Sequence, residues 1–156
     1  RDHCVTGVQT CALPIFLIIA RTDARTSLGL DEALRRGEAY ARAGADILFI
    51  ESPESEEEMR RIGKAFDLPL LANMVERGRT PVLSKQDLES IGYKLAIFPV
   101  TALLAAVAAM KSVYQQFQDQ GSSSGGTTPL FDFSELTKLM GFEDVWEFEK
   151  RYAEVK

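Results

Sequence analysis

The chain has 156 residues, of which 46% are hydrophobic and 26% are charged, a composition that is ordinary for a globular protein with one core. Its formal charge of -5 argues against nucleic acid or an anionic membrane surface as a partner, because both attract a basic face. Composition and charge indicate nothing more specific about function.

The N-terminal segment, residues 1–15, differs in character from the rest of the chain. Residues 5–15 read VTGVQTCALPI, which is the conceptual translation of a widely used sequencing adapter. A secretory hydrophobic segment over residues 12–20 and a genuine β-strand are the alternatives. The apolar run is much shorter than the ~20 residues that cross a membrane, and Arg21 follows where a signal peptide needs a cleavage site. We therefore interpret residues 1–15 as an artefact segment joined to a truncated reading frame.

This interpretation removes every cysteine and histidine from the functional argument. Cys4 and Cys11 are the only cysteines and His3 is the only histidine, and all three lie in the artefact segment. The remaining residues offer no thiol nucleophile, imidazole base, disulfide or thiolate metal site. The absence of cysteine is compatible with the cytoplasmic location that we expect.

Four short apolar runs recur along the chain, and each is followed by a segment with helical periodicity. The runs are residues 16–20, 47–50, 70–72 and 95–98. The predicted helices are residues 31–43, a helix behind the capping box of Ser55 and Glu58 that continues through residue 66, a helix from Ser84 to near Gly92, and residues 101–120. Strands that are apolar almost throughout are covered on both faces, and their alternation with helices indicates parallel pairing. The sequence therefore predicts four βα units over residues 16–120.

The C-terminal part has a different organisation. Residues 121–132 are rich in glycine, serine and threonine and are predicted to form a flexible linker. Residues 133–156 contain two predicted short helices, 133–140 and 143–152. The second has an apolar stripe around Trp146, typical of a face that docks on the parent domain or on a neighbouring subunit.

Two parallel architectures compete for the four βα units. An open doubly wound sheet usually carries a glycine-rich phosphate loop, and neither GxGxxG nor GxxxxGK is present. In a (β/α)8 barrel the residues after successive strands build the site, and here polar residues follow every apolar run: Arg21 and Asp23, Glu51, Asn73, and Thr101. A polar residue at any one strand end is ordinary for a loop, but the set favours a barrel site. Because a whole barrel takes ~250 residues, the four units are half of one.

A series of sequence blocks resembles the second half of the isocitrate lyase/phosphoenolpyruvate mutase superfamily. The blocks are ARTDA at residues 20–24, GLD at 29–31, AGAD at 43–46, FIESPES at 49–55, LLANMVERGRTP at 70–81 and IFPVTALLAA at 97–106. They are similar to 2-methylisocitrate lyases, dimethylmalate lyases, petal-death-type lyases, oxaloacetate decarboxylases and carboxyphosphonoenolpyruvate mutases. The resemblance implies an α/β fold, the C-terminal half of a TIM (β/α)8 barrel plus C-terminal helices.

The resemblance assigns roles to three residues. Arg21 matches the catalytic arginine that binds a substrate carboxylate or developing enolate oxygen, for which a guanidinium fork is well suited. Glu51 matches a glutamate at the edge of the metal and substrate site, and Asn73 matches an asparagine that binds a substrate carboxylate. The structural alternatives are a rim salt bridge of Arg21 with Asp23 or Glu51, a helix-capping role for Glu51 and an Asx-turn at Asn73. Asp23 is expected to be structural.

Two departures from the family pattern limit these roles. Family members coordinate Mg²⁺ with aspartates from the early strands, and the lyases carry a catalytic cysteine on a loop of the first half; residues 16–156 correspond to neither region. No metal ligand is therefore expected in this chain, although Mg²⁺ is expected in the full-length parent. Methylisocitrate lyases also place an arginine five residues after the proline of the last strand, where this chain has Leu104. That difference favours a smaller acid as substrate.

The resemblance implies a carbon–carbon lyase or decarboxylase acting on a small 2-oxo or 2-hydroxy dicarboxylate, with Mg²⁺ and Arg21 stabilising an enolate. A phosphonate-forming mutase or hydrolase with the same enolate chemistry is one alternative, and a catalytically inactive fragment is another. The resemblance also implies a homodimer or homotetramer that exchanges the helix of residues 101–120. The first turns of that helix are apolar all round, as for a helix buried on more than one side.

Overall fold

The computed structural model describes residues 16–153, so the proposed artefact segment lies outside the described residues. Strands and helices alternate as predicted. The elements are β1 (Ile19–Thr22), α1 (Ala24–Leu28), α2 (Leu30–Arg42), β2 (Ile47–Ile50), α3 (Glu56–Ala65), β3 (Leu70–Asn73), α4 (Lys85–Ile91), β4 (Tyr93–Ile97), α5 (Thr101–Gln120), α6 (Phe133–Leu139) and α7 (Phe142–Tyr152).

The four strands form one parallel sheet in the order β1-β2-β3-β4. Spatial order therefore equals sequence order, and each strand pairs with the strand that comes next in the chain. A doubly wound sheet reverses its strand order at a switch point, whereas a barrel does not. The prediction of four βα units from a partial barrel is confirmed.

The two faces of the sheet have different roles. Successive side chains of a strand point to opposite faces, so Leu48 and Ile50 lie on one face and Ile47 and Phe49 on the other. The first face packs against α2, α3 and α4 in the main core, which includes Ala33, Met59, Ile62 and Leu88. The second face holds a smaller buried cluster of Ile47, Phe49 and Leu71. This second face corresponds to a barrel interior.

The first strand begins later than its apolar run. It starts at Ile19 rather than at residue 16, because pairing with β2 begins at the partners Ile19 and Ile47. The carbonyl of Ile18 accepts the backbone N–H groups of Asp46 and Ile47 at 2.9 and 3.1 Å, which fixes this register. The expectation that Arg21 follows the strand is therefore wrong: Arg21 lies within β1 and pairs with Phe49.

Close packing of α3 on α4 depends on one glycine. A Cβ added at Gly63 would lie 2.1 Å from the carbonyl oxygen of Ile91, a distance that no side chain tolerates. The N-termini of these helices are capped as the sequence predicts, with Ser55 accepting from the N–H of Glu58 and Ser84 from that of Asp87. The two helices are thus fixed at their starts and held close along their length.

The chain divides into two compact units between Leu104 and Ala105. In the second unit, segment 121–128 lies along the end of α5, where the side-chain amide of Gln116 donates to the carbonyls of Ser122 and Ser124 at 3.1 and 3.2 Å. None of the residues in α5, α6 or α7 is buried. Within residues 16–153, no helix has both the length and the apolarity for crossing a bilayer.

Candidate functional site

Arg21, Glu51 and Asn73 meet at the C-terminal edge of the sheet. Arg21 Nη2 lies 3.3 Å from Glu51 Oε2, and Asn73 Nδ2 donates to Glu51 Oε1 and Oε2 at 3.2 and 3.4 Å. The strand register explains this placement: Arg21 pairs with Phe49, Glu51 follows Phe49 by two residues, and Asn73 follows Leu71 by two. Residues on alternate positions share a face, so the second face of the sheet carries all three polar groups to one edge.

Arg21 is held on two sides. Its Nε and Nη2 groups donate to Asp23 Oδ2 and Oδ1 at 3.1 and 2.8 Å, and its guanidinium carbon lies 4.7 Å from the centroid of the Phe49 ring. The hydrogen bonds with Asp23 raise the pKa of Arg21 and lower the pKa of Asp23. Asp23 and Glu51 engage Nε and Nη2, whereas Nη1 makes no hydrogen bond to the described residues.

The carboxylate of Asp23 does not cap the helix that begins after it, unlike most aspartates at a helix N-terminus. It is the N-cap residue of α1, where aspartate usually accepts backbone N–H groups of the first turn, yet its side chain makes no capping hydrogen bond. The N–H of Ala24 is instead accepted by the hydroxyl of Thr22 at 3.2 Å. Both oxygens of Asp23 are thereby free to orient Arg21. The rim salt bridge considered from the sequence is present with Asp23 and with Glu51.

Glu51 is the centre of the cluster. Its side chain is 15% exposed and receives hydrogen bonds from Asn73 and, at 3.1 Å, from the hydroxyl of Ser52. Its backbone N–H donates to the carbonyl of Thr22 at 3.0 Å, which extends the pairing of β1 and β2 by one residue. The helix-capping alternative for Glu51 is wrong, because Ser55 and Glu58 cap α3.

Two acceptor atoms at this edge lack donors. Asn73 Oδ1 and Glu76 Oε2 are buried and have no hydrogen-bond partner within residues 16–153. The other carboxylate oxygen of Glu76 accepts the hydroxyl of Thr101, the first residue of α5. Buried polar atoms are almost always paired, so these acceptors suit a donor such as a substrate hydroxyl. Sequence reasoning missed Glu76, although it lies in the block of residues 70–81.

The donor set at this edge does not fit a magnesium site formed by residues 16–153 alone. Across the described part of the chain, no group of three or more His, Cys, Asp or Glu side chains could hold a metal ion. Magnesium prefers six oxygen ligands, and Glu51 is already engaged by Arg21, Asn73 and Ser52.

A parallel βα sheet whose strands keep their sequence order, with polar side chains at its C-terminal edge, has the architecture of part of a TIM barrel. The sequence model of the phosphoenolpyruvate phosphomutase family matches residues 6–118. The chain is 48% identical over 147 residues to 2,3-dimethylmalate lyase of Eubacterium barkeri, covering 94% of this chain and 51% of that protein. The chain therefore belongs to the phosphoenolpyruvate phosphomutase family, which confirms the resemblance inferred from the sequence blocks.

Two further comparisons support the assignment. The chain is 36% identical over 140 residues to 2-methylisocitrate lyase of Halalkalibacterium halodurans, covering 90% of this chain and 47% of that protein. A structure of oxaloacetate acetylhydrolase in complex with the product oxalate matches with a TM-score of 0.77 and 30% identity, covering 86% of this chain and 46% of that one. The chain spans about half the length of the curated relatives it matches.

Proposed function

We propose that this chain supplies part of the active site of a carbon–carbon lyase or decarboxylase acting on a small 2-oxo or 2-hydroxy dicarboxylate through an enolate. The contacts of Glu51 with Arg21 and with Asn73 at the C-terminal edge of a parallel sheet carry the proposal. Similarity to 2,3-dimethylmalate lyase supports it. Because the chain spans about half of that relative, we use "the complete enzyme" for the longer protein that this proposal requires.

Arg21 is proposed to bind the substrate carboxylate or the enolate oxygen through Nη1. Asp23 and the ring of Phe49 fix the plane of the guanidinium before substrate arrives. Preoriented donors need no reorganisation when charge develops, which is the largest source of stabilisation in many enzymes. Glu51 holds Arg21 and Asn73 in one arrangement, and Asn73 Oδ1 is left to accept a hydrogen bond from a substrate hydroxyl.

We propose a small substrate, oxaloacetate or a substituted malate, in preference to methylisocitrate. Leu104 occupies the position at which the resemblance to methylisocitrate lyases leads us to expect an arginine. A tricarboxylate would lose a charge partner there, whereas a dicarboxylate needs fewer. The higher identity to 2,3-dimethylmalate lyase than to 2-methylisocitrate lyase is consistent with this choice.

We propose that the complete enzyme uses Mg²⁺ held by residues outside 16–153, where the ion would stabilise negative charge on the enolate oxygen. The 156-residue chain alone is then expected to bind Mg²⁺ negligibly and to have no turnover. Isothermal titration calorimetry tests this expectation. A stoichiometric site of sub-millimolar affinity in the isolated chain would refute it.

We propose that the complete enzyme is a homodimer or homotetramer held by exchange of α5. Apolar residues of this helix are exposed in a single chain, Tyr114 by 71% and Leu103 by 58%. The edge of the first unit beside α4 and β4 has an open apolar cleft that includes Leu88, Leu95 and Phe98. Light scattering of the complete enzyme tests this oligomeric state. A stable monomer at micromolar concentration would contradict the proposal.

The activity is tested in a chimaera in which residues 16–153 replace the matching segment of the 2,3-dimethylmalate lyase of Eubacterium barkeri. Cleavage of a substituted malate or of oxaloacetate, abolished by Arg21→Ala, is the expected result. A phosphonate-forming mutase is the alternative, since it needs the same anion-binding arginine. Conversion of phosphoenolpyruvate to a phosphonate, seen by phosphorus NMR, would favour that alternative.

We further propose that the enzyme works in the cytoplasm, where cell fractionation should find it.

A further inference from the structure

An ion-pair network joins α1 to α3 and to the turn before α3, both of which are far from α1 in sequence. Arg25, the second residue of α1, donates from Nε and Nη2 to Glu58 Oε2 and Oε1 at 2.9 and 2.6 Å. Its Nη1 lies 2.8 Å from Glu54 Oε1. Every nitrogen of the guanidinium is thus engaged by a carboxylate, and the Arg25 and Glu58 side chains are only 17% and 20% exposed.

The partners of Arg25 fix the last part of the turn that leads from β2 to α3. Glu58 Oε2 also accepts the backbone N–H of Glu54 at 2.8 Å, and the N–H of Glu58 donates to Ser55 Oγ at 3.1 Å. Arg25 therefore holds the last part of this turn through two acids, one on each side of its capping residue. The first residue of the same turn is Glu51, the centre of the candidate site.

This turn has a conformation that requires such support. Ser52 has a φ of 57°, in the left-handed region that non-glycine residues adopt only when the surrounding structure holds them. The Ser52 hydroxyl donates to the Glu51 carboxylate, so the conformation of Ser52 and the position of that carboxylate are linked. A turn released from Arg25 can relax at Ser52 and move Glu51 away from Arg21 and Asn73.

Other arginine–carboxylate pairs of the chain differ from this one. Arg60 and Glu56 lie one helical turn apart on α3, and both side chains are 48% exposed. Arg35 and Glu32 are likewise neighbours on α2. Such pairs stay within one helix, whereas Arg25 and Glu58 are 33 residues apart and connect two elements. The long-range, mostly buried pair is the one that can transmit a change to the site.

We propose that Arg25 is a positioning residue for the reaction: it clamps the turn of residues 51–55 so that Glu51 meets Arg21 and Asn73. The inference rests on the proposed function, because the effect of Arg25 on turnover passes through Glu51. Arg25 itself does not touch the candidate site. Lysine cannot replace it, since an ammonium group lacks the planar fork that binds Glu58 bidentately and reaches Glu54 as well.

The test is a double-mutant cycle in the chimaeric enzyme, with wild type, Arg25→Lys, Glu51→Gln and the double variant. Arg25→Lys should lower kcat by about tenfold, equivalent to about 1.4 kcal/mol, with a smaller change in KM. In the Glu51→Gln background the same substitution should lower kcat by less than about twofold, because the group through which it acts is gone. Arg60→Lys, in an exposed pair on α3, the helix that carries Glu58, is the matched control and should leave kcat unchanged.

If the fold-losses of kcat in Arg25→Lys and Glu51→Gln multiply in the double variant, the two residues act independently and the proposal is overturned. A wild-type kcat in Arg25→Lys would overturn it as well. Glu58→Gln keeps the shape of the partner and should reproduce the loss, so the result does not depend on one variant folding. Absence of turnover in the wild-type chimaera would refute the proposed function instead. Hydrogen exchange of the backbone amides of Ser52 and Glu54 then tests whether Arg25 holds the turn. Faster exchange in Arg25→Lys than in Arg60→Lys supports this, and equal exchange overturns it.

Discussion

Asn73 donates its side-chain amide to both carboxylate oxygens of Glu51, at 3.2 and 3.4 Å, and leaves its own Oδ1 buried without a donor among the described residues. The amide thus supports the acid on one side and retains an acceptor on the other. A residue that only ended a strand would turn its side chain to its own backbone. Asn73 instead turns its amide to Glu51, and we propose that its Oδ1 accepts a hydrogen bond from the substrate.

Replacing Arg21 by lysine in the complete enzyme should lower turnover at least tenfold, a change of about 1.4 kcal/mol. Lysine keeps the charge but cannot bind Asp23 bidentately while presenting a further nitrogen to substrate. Glu51→Gln and Asn73→Ala should also lower kcat/KM. Steady-state kinetics with Arg35→Lys as the control, an exposed pair on α2, makes the comparison. Wild-type rates in all three site variants would mean that these residues are structural.

Substrate choice should depend on Leu104. The wild-type complete enzyme is expected to prefer oxaloacetate or a substituted malate over methylisocitrate. Leu104→Arg restores the cation that a third carboxylate needs and should raise the relative kcat/KM for methylisocitrate. Side-by-side kinetics of the two proteins provides the measurement. A wild-type preference for methylisocitrate would remove the argument from this position.

Gly63→Ala should destabilise the protein despite the better helix propensity of alanine. The propensity gain is ~1 kcal/mol at most, whereas the new Cβ would meet the backbone carbonyl of Ile91 at 2.1 Å. Overpacking against groups that cannot move typically costs about 1–3 kcal/mol, so the clash decides the sign. Thermal unfolding of the complete enzyme, with exposed Lys64→Ala on the same helix as the control, should show a lower midpoint for Gly63→Ala alone.

The pair of Arg25 and Glu58 should contribute stability that is lost in acid. Its hydrogen bonds lower the pKa of Glu58 below the ordinary value of 4.5. A carboxylate with a lowered folded-state pKa stabilises the fold fully above its unfolded value, and this contribution is lost as pH falls through the folded value. Wild type should therefore be more stable than Glu58→Gln at pH 7, with the difference shrinking below pH ~4.5. A difference that is independent of pH would contradict the pairing.

Local signals in the sequence predicted most of the fold. The bounds of α5 follow from Thr101 and Gly121, and the start of α3 follows from the Ser55 capping box. The start of β1 could not be read in the same way, because the apolar run continues upstream and only pairing with β2 determines which residues belong to the strand. The short helix α1 also lacked a signal, being only 5 residues long and followed by Gly29.

The polar residues that follow the apolar runs already indicated Arg21, Glu51 and Asn73, but only the match to family blocks assigned them roles. Arg21, Glu51 and Asn73 come together as that resemblance implies, although their roles stay predictions. Contacts between elements that are distant in sequence have no local signature: nothing near Arg25 indicates that Glu58 is its partner, and nothing near Glu76 indicates Thr101. Such partners depend on the register of neighbouring βα units, which a single sequence does not reveal.

The strand order has a consequence for how the chain acquires its structure. Because each strand pairs with its successor, the sheet grows by short crossovers and needs no strand to wait for a distant partner. Each βα unit can therefore add to the one before it as synthesis proceeds, although parallel strands that pair across a helix form more slowly than a hairpin. In the complete enzyme that we propose, closing the barrel differs, since β1 and β4 each have one edge without a partner strand among residues 16–153. Ring closure, rather than formation of the individual units, is therefore the step at which folding of the whole enzyme becomes non-local.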